Sequence, residues 1–133
     1  MQNMPKNSNR ENGLKTSRIP RMTVKERILV HLSRYMNIAY NSVNVPYELT
    51  QDGIGNIVGV SRAHISLELR DLISRGDVSN WKAHIQGCDT RRYAYILSKK
   101  GKETAQEVID TFVKFGYDPT IALDMRKCDP MGT

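Results

Sequence analysis

The sequence predicts a mainly α fold with a small β-hairpin: an α+β chain in which a three-helix core carries the hairpin and a C-terminal helix. Three observations predict it. Helix start and stop signals recur along residues 23–116. Two short segments with apolar stripes are separated only by Gly59-Val60-Ser61. A run rich in aromatic and β-branched residues, Arg92-Tyr-Ala-Tyr-Ile-Leu97, follows a polar turn as the return arm of a hairpin. The length, 133 residues, suits one domain with tails.

The elements follow in order. Residues 1–22 are rich in Asn, Ser, Lys, Arg, Gly and Pro and poor in apolar side chains, which reads as a disordered basic arm. The domain is expected over 23–115. Thr23-Val-Lys-Glu26 is a capping box, and Val24, Ile28, Leu32 and Tyr35 then recur at helical spacing, with Leu29 and Met36 widening the stripe. A helix is therefore expected over 23–36, fading near Asn37, with a loop over 38–45. Val45-Pro-Tyr-Glu-Leu49 reads as a short edge strand, since Pro46 cannot donate to a central ladder. Thr50 caps a short helix whose first-turn Asp52 suits the helix dipole and whose apolar face is Ile54, Ile57 and Val58; Gly59 ends it. Ser61 caps a helix over 61–75, with Ile65, Leu69, Leu72 and Ile73 inward, Asp71 and Arg75 one turn apart, and Gly76 as its stop. A strand over 78–83, a turn over 86–90 and a strand over 92–97 complete the hairpin. Ser98 caps a helix over 98–115, with Ala105, Val108, Ile109, Phe112 and Val113 on its apolar face. The extension over 116–133 carries a further short helix from Asp118-Pro119 to about Arg126.

Charge is unevenly placed. Lys and Arg total 20 against 14 Asp and Glu, a net of +6. Residues 1–22 hold Lys6, Arg10, Lys15, Arg18 and Arg21 against Glu11 alone, and residues 78–102 hold Lys82, Arg91, Arg92, Lys99, Lys100 and Lys102 against Asp89 alone. Residues 23–77 balance, and 103–133 are net acidic. A localised excess points to a contact surface for an anionic partner. No apolar run is long enough to span a bilayer, and MQNMPKNSNRENG has no apolar h-region. With Cys88 and Cys128 as the only cysteines, a reduced, cytoplasmic setting is the expectation.

The centre of the pattern is Thr50-QDGIGNIVGVSRAHISLELRDLISRG-Asp77. A tight turn at Gly59 lets Ile54 and Ile57 meet Ile65 and Leu69 at a steep angle and leaves the outer face of the second helix projecting. Such a helix fits a major groove roughly 12 Å wide. Residues 23–115 resemble a winged helix-turn-helix domain of prokaryotic transcription regulators. GVSRAHIS is similar to the turn and start of the recognition helix, LRDLISRGDV to its end leading into the first wing strand, and RRYAYILSKKG to the second wing strand entering the last helix. VPYELTQDGI ahead of the turn looks most like archaeal winged-helix proteins. One departure is Gly55, where the family usually has Ala; Gly permits close packing.

The resemblance implies a sequence-specific regulator that binds double-stranded DNA, with helix 61–75 in the major groove and wing 84–92 on the adjacent minor groove or backbone. It carries the recognition role to Arg62, Ala63, His64, Ser66, Leu67 and Arg70. By residue chemistry, Ser61 and the free N–H groups beside it suit a phosphate. Arg62 and Arg70 suit guanine edges or phosphates, His64 and Ser66 can hydrogen-bond either, and Ala63 and Leu67 suit thymine methyls. Arg91 and Arg92 follow the wing turn, on opposite faces if both are in a strand, so one at most faces DNA; Lys82 on the partner strand is a weaker candidate. Any exposed helix turns Arg, Ser and His outward, so the turn and hairpin, not the side chains alone, favour nucleic acid.

Other chemistries find little here. His84 and Cys88, with Cys128, His31 or His64, lack zinc-ligand spacing, and His31 reads as a helix-surface or core-edge residue. Cys88 reads as a small turn residue, exposed in the wing. No nucleophile elbow, phosphate loop or dinucleotide fingerprint is present, so neither enzyme activity, metal nor cofactor is expected. Trp81, Tyr93 and Tyr95 read as hairpin core, and as the residues to watch were RNA the ligand. Lys99 and Lys100 at a helix start oppose the dipole and read as solvated or serving another element. A homodimer through helices 23–36 and 98–115 is expected from the wide apolar face of the latter. The alternatives are a winged helix that docks another protein, and an RNA-binding one.

Overall fold

The computed structural model describes residues 21–119. It is α+β, with helices α1 (Val24–Ser33), α2 (Gln51–Val58), α3 (Arg62–Ser74) and α4 (Lys99–Lys114), and strands β1 (Asn44–Val45), β2 (Val78–Ile85) and β3 (Arg91–Leu97). The basic arm and the short helix expected after Asp118 lie outside the described residues, apart from their innermost few positions.

Each helix starts where a hydroxyl side chain accepts from an otherwise orphaned backbone N–H. Thr23 accepts from Glu26 N (3.1 Å), Thr50 from Gly53 N (3.1 Å), Ser61 from His64 N (3.2 Å) and Ser98 from Gly101 N (3.0 Å). Glu26 closes the capping box onto Thr23 N at 2.9 Å. Gly59, at φ 83°, ends α2 in the left-handed region that side-chain-bearing residues avoid. α1 is shorter than 23–36: after Ser33 the chain turns, and Met36 is exposed.

The sheet differs from a bare hairpin. Its order is β1-β2-β3, with β2 and β3 antiparallel and β1 parallel to β2, Asn44 opposite His84 and Val45 opposite Ile85. The edge strand expected over 45–49 is thus two residues long. Pro46 leaves it, and Tyr47–Leu49 winds into a 3-10 turn before Thr50 bridges to Ala94. Trp81 fixes this segment by donating from Nε1 to Ser42 O at 2.9 Å, with the Tyr40 ring 5.2 Å away.

The main core joins Ile28 and Leu32 of α1, Leu49, Ile54 and Val58 around α2, Ile65, Leu69 and Leu72 of α3, and Trp81, Ile85, Ala94 and Ile96 of the sheet. Ile73 only borders it. A second cluster packs Val30 of α1 against Phe112 of α4, with Met22, Val108, Ile109 and Tyr117 around them. The start of α4 clasps the end of α3. Ser98 N donates to Asp77 O (2.9 Å), Lys100 Nζ to Arg75 O (2.6 Å) and Thr104 to the buried Asp77 carboxylate (3.2 Å). Lys100 therefore sits at the negative end of α3, which accounts for a cation in the first turn of α4. Gly101 is required there: a Cβ would collide with the Asp77 carbonyl.

Candidate nucleic-acid interface

The candidate surface is built on α3, which crosses in front of α2 after a turn of three residues. Gly55 permits this approach, since a Cβ there would stand 3.3 Å from Ile65 Cγ1. With Ile65, Leu69 and Leu72 buried, Ser61, Arg62, Ala63, His64, Leu67 and Arg70 are exposed and Ser66 is half-buried, all as the helical wheel has them. Leu67 is 61% exposed and belongs to neither core cluster.

The charges of α3 are sorted by side. Lys25 of α1 engages Glu68, and Asp71 at 3.2 Å; Arg75 also reaches Asp71, at 3.1 Å. Lys25 holds the Glu68 carboxyl below the usual carboxylate range, and the two carboxylates raise the Lys25 ammonium in return. His64 turns its Nε2 to Glu68 at 3.1 Å. The helix is neutral by count, yet its acids are drawn toward α1, while Arg70 makes no ion pair among the described residues.

At the N-terminus of α3, Arg62 makes a forked pair with Asp52 of α2, Nε to Oδ1 at 3.1 Å and Nη2 to Oδ2 at 2.9 Å. Arg92 of β3 reaches the same Oδ2 at 3.2 Å. Gln51 Nε2 donates to Arg62 O at 3.3 Å. Beside these groups runs an open groove of about 260 Å³, lined by Thr50, Gln51, Asp52, Arg62, Arg92, Tyr93 and Tyr95.

The two arginines at the start of β3 part as alternation requires. Arg92 stands opposite Ala83 and is drawn to Asp52. Arg91 stands opposite His84, shares its face with Lys82 and Tyr93, and covers the hairpin by donating to Lys82 O at 3.1 Å. The structure therefore brings Arg92 to the residues of α3 and leaves Arg91 and Lys82 on the other face. Lys82 stands 5.9 Å from the Tyr93 ring centroid. Trp81 and Tyr95 are buried, Tyr93 is not, and Cys88 is half-buried against the core rather than exposed.

Sequence reasoning missed Asp52 as part of this surface. Its place in the first turn of α2 accounts for it locally, and only the tertiary approach of β3 reveals its two arginine partners. His31 is corrected outright: it is fully buried, with Nε2 donating to Glu48 O at 2.9 Å. No three His, Cys, Asp or Glu side chains among the described residues stand close enough to hold a metal ion, and no helix among them is long and apolar enough to cross a membrane. Comparison of the chain with protein-family models, curated proteins and solved structures gave no match.

Proposed function

We propose that this chain is a winged helix-turn-helix transcription regulator that binds double-stranded DNA in the cytoplasm and has no catalytic activity. In this reading α2 and α3 are the helix-turn-helix, α3 enters the major groove, and the β2–β3 hairpin is the wing. The observation that carries it is the sorting of charge on α3. The acids are held on the α1 side, and the outer face offers Ala63, Ser66, Leu67 and Arg70, with Arg62 and Arg92 at its N-terminal end. Arg70, with no ion pair among the described residues, is available for a guanine edge. Arg62 spends two of its five N–H groups on Asp52 and keeps the rest. Leu67 and Ala63 supply apolar contact for thymine methyls, and Arg92 neutralises a neighbouring phosphate. A second copy of the chain is the proposed partner, covering Val113 and Phe115 at the end of α4, which are 59% and 64% exposed beside a shallow groove that includes Ile109 and Tyr117.

Fluorescence-anisotropy titration against duplex DNA, single-stranded DNA and RNA at two salt concentrations tests the reading. Duplex should win, with affinity falling steeply as salt rises. Arg70→Ala should cost about 1–3 kcal/mol at a preferred site and relax its sequence preference, while Arg92→Ala should weaken all duplexes alike and reduce the salt slope by about one. Preference for single strands would favour RNA instead. Weak duplex binding indifferent to Arg70→Ala would leave a protein-docking module.

A further inference from the structure

Asp52 is the carboxylate on which two arginines of the candidate surface converge, and it stands where an anionic partner should repel it. An acid facing phosphate lowers affinity unless it does something that affinity alone does not measure. Its geometry says what. Both oxygens are occupied: Oδ1 takes Arg62 Nε, and Oδ2 takes Arg62 Nη2 and Arg92 Nη1, at 3.1, 2.9 and 3.2 Å. The forked contact fixes the plane of the Arg62 guanidinium, which a single hydrogen bond would leave free to rotate. The carboxylate lies in the first turn of α2, where the helix dipole favours its charge, and Thr50 and Gly53 hold that turn by the cap. So α2 anchors the acid, the acid orients Arg62 on α3, and it draws β3 to the same point through Arg92.

We propose that Asp52 is a positioning residue for sequence discrimination. It holds Arg62 in one orientation for base reading and ties the wing to the start of the recognition helix, at the expense of general attraction to DNA. This rests on the DNA-binding reading above. Without Asp52, Arg62 becomes a mobile cation that any phosphate satisfies, and Arg92 meets its phosphate with no carboxylate competing for it. The protein then binds duplexes more tightly on average and tells them apart less well.

The experiment uses the full chain, a duplex selected by the wild-type protein from a randomised pool, and a scrambled duplex of the same length. For Asp52→Asn, with folding checked by thermal melting, the scrambled duplex should bind several-fold tighter with a salt slope steeper by about one. The ratio between the two duplexes should fall roughly tenfold, the scale of one oriented arginine contact. Asp71→Asn removes the same charge from α3 but leaves the Arg62–Asp52–Arg92 contacts intact, so its ratio should stay at the wild-type value. Asp52→Glu keeps the charge and displaces the carboxylate by one methylene; it should lose discrimination with no gain on the scrambled duplex, and it serves if Asp52→Asn does not fold. Retention of the wild-type ratio in the Asp52 variants overturns this inference alone, as does proportionate loss on both duplexes. A wild-type protein that selects no duplex overturns the DNA-binding reading, and this inference with it.

Discussion

His31 shows how much one enclosed side chain can govern. Its ring is fully buried in α1, edge-on to Tyr35 at 5.3 Å, and Nε2 donates to the Glu48 carbonyl. That bond fixes the proton on Nε2 and leaves Nδ1 bare, with no hydrogen-bond partner. Burial pushes the imidazole below its ordinary pKa, outweighing the pull of the Glu48 carbonyl. The unfolded chain takes up a proton near pH 6.5 while the folded one resists it, so stability is fully present above about 6.5 and declines as pH falls below it, by at most about 1.4 kcal/mol per pH unit. Denaturant unfolding at pH 7.5 and 5.5 should show this loss in the wild-type protein and a smaller one in His31→Leu. Glu68, held low by Lys25, adds its own loss only in the carboxylate range, around pH 4.5 and below. The position of His31 was not legible in the sequence because its partner is a backbone carbonyl in a 3-10 turn 17 residues away, outside any helical period.

At the scale of elements, what is local was legible and what is remote was not. The four caps and the Gly59 stop depend on side chains within three or four residues, and all stand where the sequence puts them. The edge strand was expected over 45–49, but its two-residue extent and its parallel pairing were not legible, because so short a strand carries no alternation to read and its partner lies 40 positions on. The clasp of α4 on α3 belongs with these: Gly101 reads as an ordinary helix glycine, yet it lies against the Asp77 backbone. An added methyl would have to displace main chain rather than a side chain. Gly101→Ala should therefore cost about 3 kcal/mol, at the upper end for overpacking, in place of the gain of up to about 1 kcal/mol that Ala brings to an open helix position. Thermal melting checks it, as a fall of more than about 10 °C. The candidate site divides the same way. The outward face of α3 follows from helical spacing alone, whereas the convergence of Arg62 and Arg92 on Asp52 needs β3 folded beside α2.

For the whole molecule, the apolar face of α4 proves partly spent within one chain, since Val108, Ile109 and Phe112 pack with Met22 and Val30. What is left for a second copy is the C-terminal end, Val113 and Phe115. If that end is the dimer contact, Val113→Lys with Phe115→Glu should halve the mass measured by light scattering while leaving the melting temperature of the fold nearly unchanged. An unaltered mass would move the contact elsewhere or remove it. The β1–β2 pairing has another consequence, for the order in which the chain assembles. Ser42 meets Trp81 across 39 residues of sequence, and α2 and α3 both lie inside the loop this contact closes. Closing a loop of that length costs about 3 kcal/mol of chain entropy. Helices and hairpin, built on near neighbours, can form before that cost is met. The α2–α3 pair is thus an enclosed insert. A peptide cut to residues 50–75 would keep every outward side chain of α3, but lose Leu49, Trp81, Ile85 and Ala94, which share one buried core with Ile54 and Ile65.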